Sequence, residues 1–189
     1  MHDSKTSSKP PRGLTLRQTL KPAIPSPLTR IAWNRDGSRL ALPSRSGAVH
    51  IWSAQTNHFQ LEIQSSAAAW ATAVAWSAKG DLIAINTGDK RIRIWNVIRG
   101  NRVRIRNGNR LSLEGTTVDW STDGNHLAFG QATGGFTVWD ADRWVKLFDR
   151  VGKGEPSSLA WAPSGQQLAV AYRQPARVNS FETLPHRIY

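Results

Sequence analysis

The segment LTRIAWNRDGSRLAL (28–42) decides the reading of the whole chain, because it occurs four times. Its counterparts are ATAVAWSAKGDLIAI (71–85), TTVDWSTDGNHLAF (116–129) and SSLAWAPSGQQLAV (157–170). The tryptophans Trp33, Trp76, Trp120 and Trp161 stand 43, 44 and 41 residues apart. Gly37, Gly80, Gly124 and Gly165 keep the same intervals, so two markers hold one register. A third follows in VHIW (49–52), IRIW (92–95), FTVW (136–139) and the weaker VNSF (178–181). A fixed period of this length is the mark of a repeat architecture, in which each unit buries its apolar surface against its neighbours.

Each unit reads as strands. IAW, VAW, VDW and LAW precede a polar turn containing glycine, and LAL, IAI, LAF and LAV follow it, the pattern of a hairpin. Glycine supplies the positive φ that such a turn requires. VHIW and its equivalents form a third strand, and FQLEI (59–63), RVRI (102–105) and WVKLF (144–148) a fourth. Four antiparallel strands in about 43 residues make one blade of a β-propeller. The fold class expected is therefore all-β, with four-stranded blades at about 28–63, 71–106, 116–149 and 157–189.

These motifs resemble the WD40-repeat family, in the Asp-Gly turn followed by Leu-Ala and in the I-R-I-W-N and V-W-D endings of the third strands. Trp139-Asp140 is the one intact Trp-Asp pair, and no Gly-His dipeptide occurs, so the repeats are degenerate. The family's His–Asp hydrogen-bond network within each blade cannot form in its usual way. The resemblance covers about 28–182 and implies a scaffold or sensor module that binds a protein or peptide. It also implies more blades than four in one ring. Three arrangements follow: part of a larger propeller, two chains completing an eight-bladed homodimeric ring, or closure with four blades. The resemblance also implies that LTLRQTL (14–20) is a possible ring-closing outer strand beside the three strands of 157–181. ETLPHRIY (182–189) ends inside the next expected outer strand, which favours a longer chain. A blade left unpaired would expose an edge and an apolar face. Residues 1–13 are polar with Pro10 and Pro11 and read as a disordered leader, and Pro22, Pro25 and Pro27 stiffen the entry to the first blade.

Composition narrows the chemistry. With 25 basic and 13 acidic residues the formal charge is +12, which suits acidic partners and says nothing about fold. The chain has no cysteine, which removes disulfide and thiolate chemistry and fits a reducing compartment. There is no signal-peptide pattern at the start and no apolar run long enough to span a membrane, so the expectation is a soluble cytoplasmic protein without a membrane partner. The histidines His2, His50, His58, His126 and His186 are scattered, with no metal-ligand spacing. GKG (152–154) lacks the rest of a phosphate loop. Asp119 stands where the other repeats have Ala32, Ala75 and Ala160, and reads as a hydrogen-bonded acid near the central channel rather than a catalytic one, since no partner acid or base accompanies it. No enzyme activity, cofactor or metal is expected.

The family arrangement places the fourth-to-first and second-to-third strand loops on one face, the top. Those loops carry Lys21, Arg45, Lys90, Arg91, Arg110, Lys153, Arg173 and Arg177 against Asp89, Glu114 and Glu155, while the opposite loops are slightly acidic. These eight cations, together with Trp70 in SSAAAWAT, are the candidate partner-binding residues; an exposed aromatic with little polar competition is a common interface anchor. Arg102, Arg104 and Arg106 form a second candidate, a basic stripe on one side of the second blade's outer strand. Such a face suits an acidic protein or peptide. Nucleic acid is the alternative partner, by salt-dependent phosphate contacts, although the aromatic–basic interleaving of single-strand binders is missing.

Overall fold

The computed structural model describes residues 26–65, 69–103, 112–152, 154–173 and 181–183, and these form strands and turns with no helix. The first sheet runs β1 (Ala32–Trp33), β2 (Arg39–Pro43), β3 (Ala48–Ser53) and β4 (Phe59–Gln64). The second holds β5 (Ala71–Trp76), β6 (Leu82–Thr87), β7 (Arg91–Asn96), β8 (Asn101–Arg102) and β9 (Ser112–Glu114). The third holds β10 (Thr117–Trp120), β11 (His126–Gly130), β12 (Phe136–Asp140) and β13 (Val145–Arg150). The fourth holds β14 (Glu155–Trp161), β15 (Leu168–Arg173) and β16 (Phe181–Thr183). Every pairing is antiparallel and joins neighbours in sequence, apart from the two-piece edge of the second sheet described below. This is the blade pattern of a β-propeller. The segment 14–20 expected as a closing strand lies outside the described residues.

The repeated turn has one conformation in all four copies: Gly37, Gly80, Gly124 and Gly165 have φ of 70, 82, 74 and 73°. Any side chain there would pay the left-handed backbone penalty. At Gly124 a Cβ would also come within 3.0 Å of Lys79 Cγ and Ser77 Oγ in the second sheet, whereas at Gly37 it would meet nothing within 4 Å.

The sheets stand side by side, and the second strand of each inner repeat is buried on both faces. Ile83, Ala84 and Ile85 have no exposed surface. Ile83 and Ile85 pack with Ala41, Val49, Ile51 and Ile63 of the first sheet, while Ala84 packs with Leu127 and Phe129 of the third. The next repeat obeys the same rule, with Ala128 turned towards Leu159, Leu168, Val170 and Tyr172 of the fourth. The large-Ala-large pattern thus aims its bulky residues at the preceding sheet and its alanine at the following one. Burial on both faces explains why these strands are apolar throughout rather than alternating.

The repeat tryptophans stitch the sheets together. Trp76 Nε1 donates to Ala32 O at 3.0 Å, and Trp120 Nε1 donates to Ala75 O at 3.1 Å. At the third junction the repeat places Asp119 where the alanine would be, and the stitch changes. Its carboxylate accepts from the backbone N–H groups of Trp120 and Trp161, both at 2.9 Å. Trp161 Nε1 finds no partner among the described residues, and the indole stacks on His126 at 6.0 Å. Ile31 and Trp33 remain 55% and 52% exposed on the flank where the other three sheets meet a predecessor.

One expectation needs correcting. The outer strand of the second sheet is not a single run from Arg102: β8 and β9 both pair with β7, at opposite ends of it. Residues 112–114, expected in a loop, therefore belong to the sheet edge, because β7 has free backbone groups at Arg91–Arg93 that β9 satisfies.

Two comparisons test this account by thermal or urea unfolding. Trp120→Phe removes an indole hydrogen bond between sheets and is expected to cost about 1 kcal/mol more than Trp161→Phe, whose Nε1 has no partner among the described residues. Gly37→Ala is expected to cost about 1–2 kcal/mol from backbone strain alone, and Gly124→Ala more than that.

Candidate partner-binding face

Backbone hydrogen bonds bring the two loop sets to one end of the sheets. Ala71 N donates to Ser44 O, Gly88 N to Trp70 O, Gly115 N to Lys90 O and Gly135 N to Gly154 O. Each bond links an outer-to-inner strand connection with a second-to-third strand turn, so the expected top face is a continuous physical surface. At the opposite end Ala54 N donates to Ser38 O, Val97 N to Asp81 O and Ala141 N to Asn125 O.

Of the candidate residues, Arg45, Trp70, Lys90, Arg91 and Arg173 are described and exposed on this face. Lys21, Arg110, Lys153 and Arg177 lie outside the described residues. Trp70 is 56% exposed, and the Arg45 guanidinium sits 5.2 Å from its ring centroid, a cation–π contact. Charge on the face is more balanced than a count of residues suggests. Lys90 approaches Glu155 at 3.7 Å and Arg91 approaches Glu114 at 3.9 Å. Asp89 is taken by Arg93 at 2.7 Å. Arg173 forms no ion pair with a described residue. On the rim, Arg102 is half-buried in β8, and Arg104 and Arg106 are outside the described residues.

Arg93 belongs to a clasp that the sequence reading missed. In the β6–β7 turn, Asp89 accepts from both Arg93 and the Thr87 hydroxyl, and Arg93 also bonds Thr87. The Arg93 guanidinium, well buried itself, holds the Asp89 carboxyl down at about 2. This clasp rigidifies one top turn without the Gly-His element.

Asn86 is the second missed residue. It stands where the other repeats have Pro43, Gly130 and Ala171, the same kind of polar anomaly as Asp119, and that mismatch was the available signal. It is 4% exposed; its Nδ2 donates to Thr116 O, and its Oδ1 has no partner among the described residues.

The innermost strands β1, β5, β10 and β14 line a central cleft of about 900 Å³. Arg35 of the first sheet reaches across to donate to Thr122 O of the third. Burial pushes the Asp119 carboxyl up, against the two N–H bonds that favour its charged form. With both oxygens committed to backbone donors, Asp119 acts as a brace between the third and fourth sheets. No grouping of three or more His, Asp or Glu that could hold a metal occurs among the described residues.

Repeated antiparallel blades, tryptophan hydrogen bonds across two of the junctions and a cleft lined by innermost strands define a β-propeller. The chain is similar to proteins of the WD40-repeat family. Residues 74–149 match the model of the anaphase-promoting complex subunit 4 WD40 domain. The chain is 27% identical over 140 residues to THO complex subunit 3 of Arabidopsis thaliana, covering 71% of this chain and 43% of that protein. It is 31% identical over 109 residues to the F-box-like/WD repeat-containing protein TBL1X of Mus musculus, covering 51% of this chain and 21% of the relative. The matches thus span less than half the length of these relatives. Among solved structures, Kuenenia stuttgartiensis hydrazine synthase superimposes with a TM-score of 0.70 at 18% identity, over 92% of this chain and 49% of that one. At that identity the likeness is one of fold. WD40-repeat relatives are generally non-catalytic scaffolds for other proteins.

The clasp yields a pH prediction. Because Asp89 is lowered in the fold from 3.8 to about 2, its stabilisation is present above 3.8 and is lost as pH falls towards 2. Asp89→Asn is therefore expected to be less stable than the parent at pH 7, with the difference closing between pH 4 and 2 in urea melts.

Proposed function

We propose that this chain is a non-catalytic protein-interaction module whose top face receives an acidic segment of a partner protein. The observation that carries the reading is the Arg45–Trp70 pair: an exposed indole stacked by a guanidinium, on the same face as Lys90, Arg91 and Arg173. Trp70 offers a rigid apolar anchor, and Arg45 beside it offers a charge that can pair with a carboxylate while keeping its place on the ring. Clustered positive charge would speed and orient the encounter more than it would tighten the complex. The nucleic-acid alternative has less support, since Trp70 is the one tryptophan at the surface of this face among the described residues and offers no series of rings on which bases could stack.

Fluorescence anisotropy with a glutamate-rich peptide and with single- and double-stranded oligonucleotides tests the reading at low and physiological salt. The peptide is expected to bind and to weaken about tenfold or more in Trp70→Ala, a loss of the size seen at interface anchors. Arg45→Glu is expected to weaken it further and to flatten its salt dependence. Peptide binding indifferent to both changes would overturn the proposal, as would oligonucleotide binding that survives physiological salt and exceeds that of the peptide.

A further inference from the structure

At the end of the sheets opposite Trp70, the first junction differs from the second at two equivalent places. The tryptophan register sets Asp36 of the first repeat against Lys79 of the second, each three residues after its first-strand tryptophan. It sets Ile98 against Asp142, each three residues after its third-strand tryptophan. Lys79 and Asp142 form an ion pair at 2.7 Å that ties the second sheet to the third. Trp144, from the same turn as Asp142, packs on the core those two sheets share. The first junction has no such closure. Asp36 accepts from Ser38 N of its own turn at 2.8 Å, and Ile98 is 63% exposed.

Beside Ile98 a groove of about 360 Å³ opens between the first and second sheets, room for one large apolar side chain. Leu61 of β4 and Val97 of the β7–β8 turn, both half-buried, give it an apolar wall above the core residue Ile51. Arg39 and Arg99 line it as well, one half-buried and one exposed. Neither guanidinium has an ion pair or a hydrogen bond with a described residue. A lone exposed isoleucine is ordinary. This one borders a concave apolar space with two cations beside it, where the next repeat closes the same place with charge and a tryptophan.

An occupant has to bring an apolar side chain for the groove and negative charge for the arginines. An extended segment with an aliphatic residue between acidic ones carries both. We propose that this groove docks such a segment of a partner protein, with a leucine-like side chain covering Leu61 and Ile98 and its acidic neighbours reaching Arg39 and Arg99. Arginine suits the second part, since its planar fork can hold a carboxylate by two parallel bonds. The groove lies on the face opposite Trp70 and does not rest on the reading of that face. The chain then offers two separate docking surfaces, one at each end of its sheets.

The test is a titration of the full 189-residue chain with a capped peptide, Glu-Glu-Leu-Glu-Glu, followed by fluorescence anisotropy and amide ¹H–¹⁵N NMR. Controls carry alanine in place of the leucine, or glutamine in place of every glutamate. The leucine peptide is expected to shift the amides of Val97, Ile98 and Gly100 and to bind about tenfold more tightly than the alanine peptide, the scale of burying one such side chain. Ile98→Asp should remove this binding, and Arg99→Gln should weaken it about threefold to tenfold, as for a charge-assisted hydrogen bond at the surface. Both positions are exposed, so thermal melts of the two variants should match the parent. Trp70→Ala should leave the shifts at Val97 and Ile98 in place. The proposal fails if the leucine and alanine peptides bind alike, if the glutamine peptide binds as well as the glutamate one, or if Ile98→Asp changes nothing. It fails equally if the chain sediments as a dimer that Ile98→Asp dissociates, since a second copy would then cover the groove. Loss of the shifts at Val97 and Ile98 while the glutamate-rich peptide still binds through Arg45 and Trp70 excludes this groove and leaves the top-face reading standing.

Discussion

The structure depends on the second strand of each repeat being sandwiched between two sheets. Ile83, Ala84 and Ile85 show why: consecutive residues point to opposite faces, and all three are without exposed surface because a neighbour covers each side. No single sheet can bury these strands alone, so its stability is shared with the sheets beside it. The alternation of bulky residues and alanine gives each interface a hand, large side chains reaching back and small ones receiving the next set. The tryptophan stitches add direction to this packing. The indoles of Trp76 and Trp120 each bond a carbonyl of the preceding innermost strand and so hold the spacing of the strands that line the cleft.

Asp119 shows how a repeat tolerates local change. An alanine-to-acid replacement on an innermost strand would bury a charge at considerable cost without partners. Here the carboxylate takes two backbone N–H groups, one from its own sheet and one from the next. The inter-sheet link is kept with different atoms, and the freed indole of Trp161 packs on His126 instead. The third and fourth sheets are therefore joined by a charge-assisted bond where the earlier junctions use a neutral one, which makes this the junction most sensitive to the state of one side chain.

The top face combines rigidity with incomplete satisfaction. The Thr87–Asp89–Arg93 clasp and the backbone bonds between neighbouring loops fix the positions of Lys90 and Trp70. Several charges pair within the chain, whereas Arg173 forms no ion pair and Asn86 Oδ1 accepts no hydrogen bond among the described residues. Loops held in place in this way leave little ordering to oppose the binding proposed for this face.

Much of this is legible in the residues alone. The tryptophan and glycine register located the hairpins, and the positive φ of Gly37, Gly80, Gly124 and Gly165 follows from a turn chemistry that is local to a few residues. The same register marked Asp119 as out of pattern and sorted Arg45, Lys90, Arg91 and Arg173 onto one face. The two-piece edge of the second sheet was hidden, since pairing with β7 is chosen by free backbone groups and not by side-chain pattern. So was the balance of charge, because Lys90 and Glu155 belong to different repeats and meet only when three blades converge. Sequence alone determined the repeat, its strands and its turns, all set by neighbours along the chain. Tertiary structure decided which charges are spent, which acceptor is left without a donor and where Trp70 meets Arg45, because burial and pairing depend on residues brought together from distant repeats.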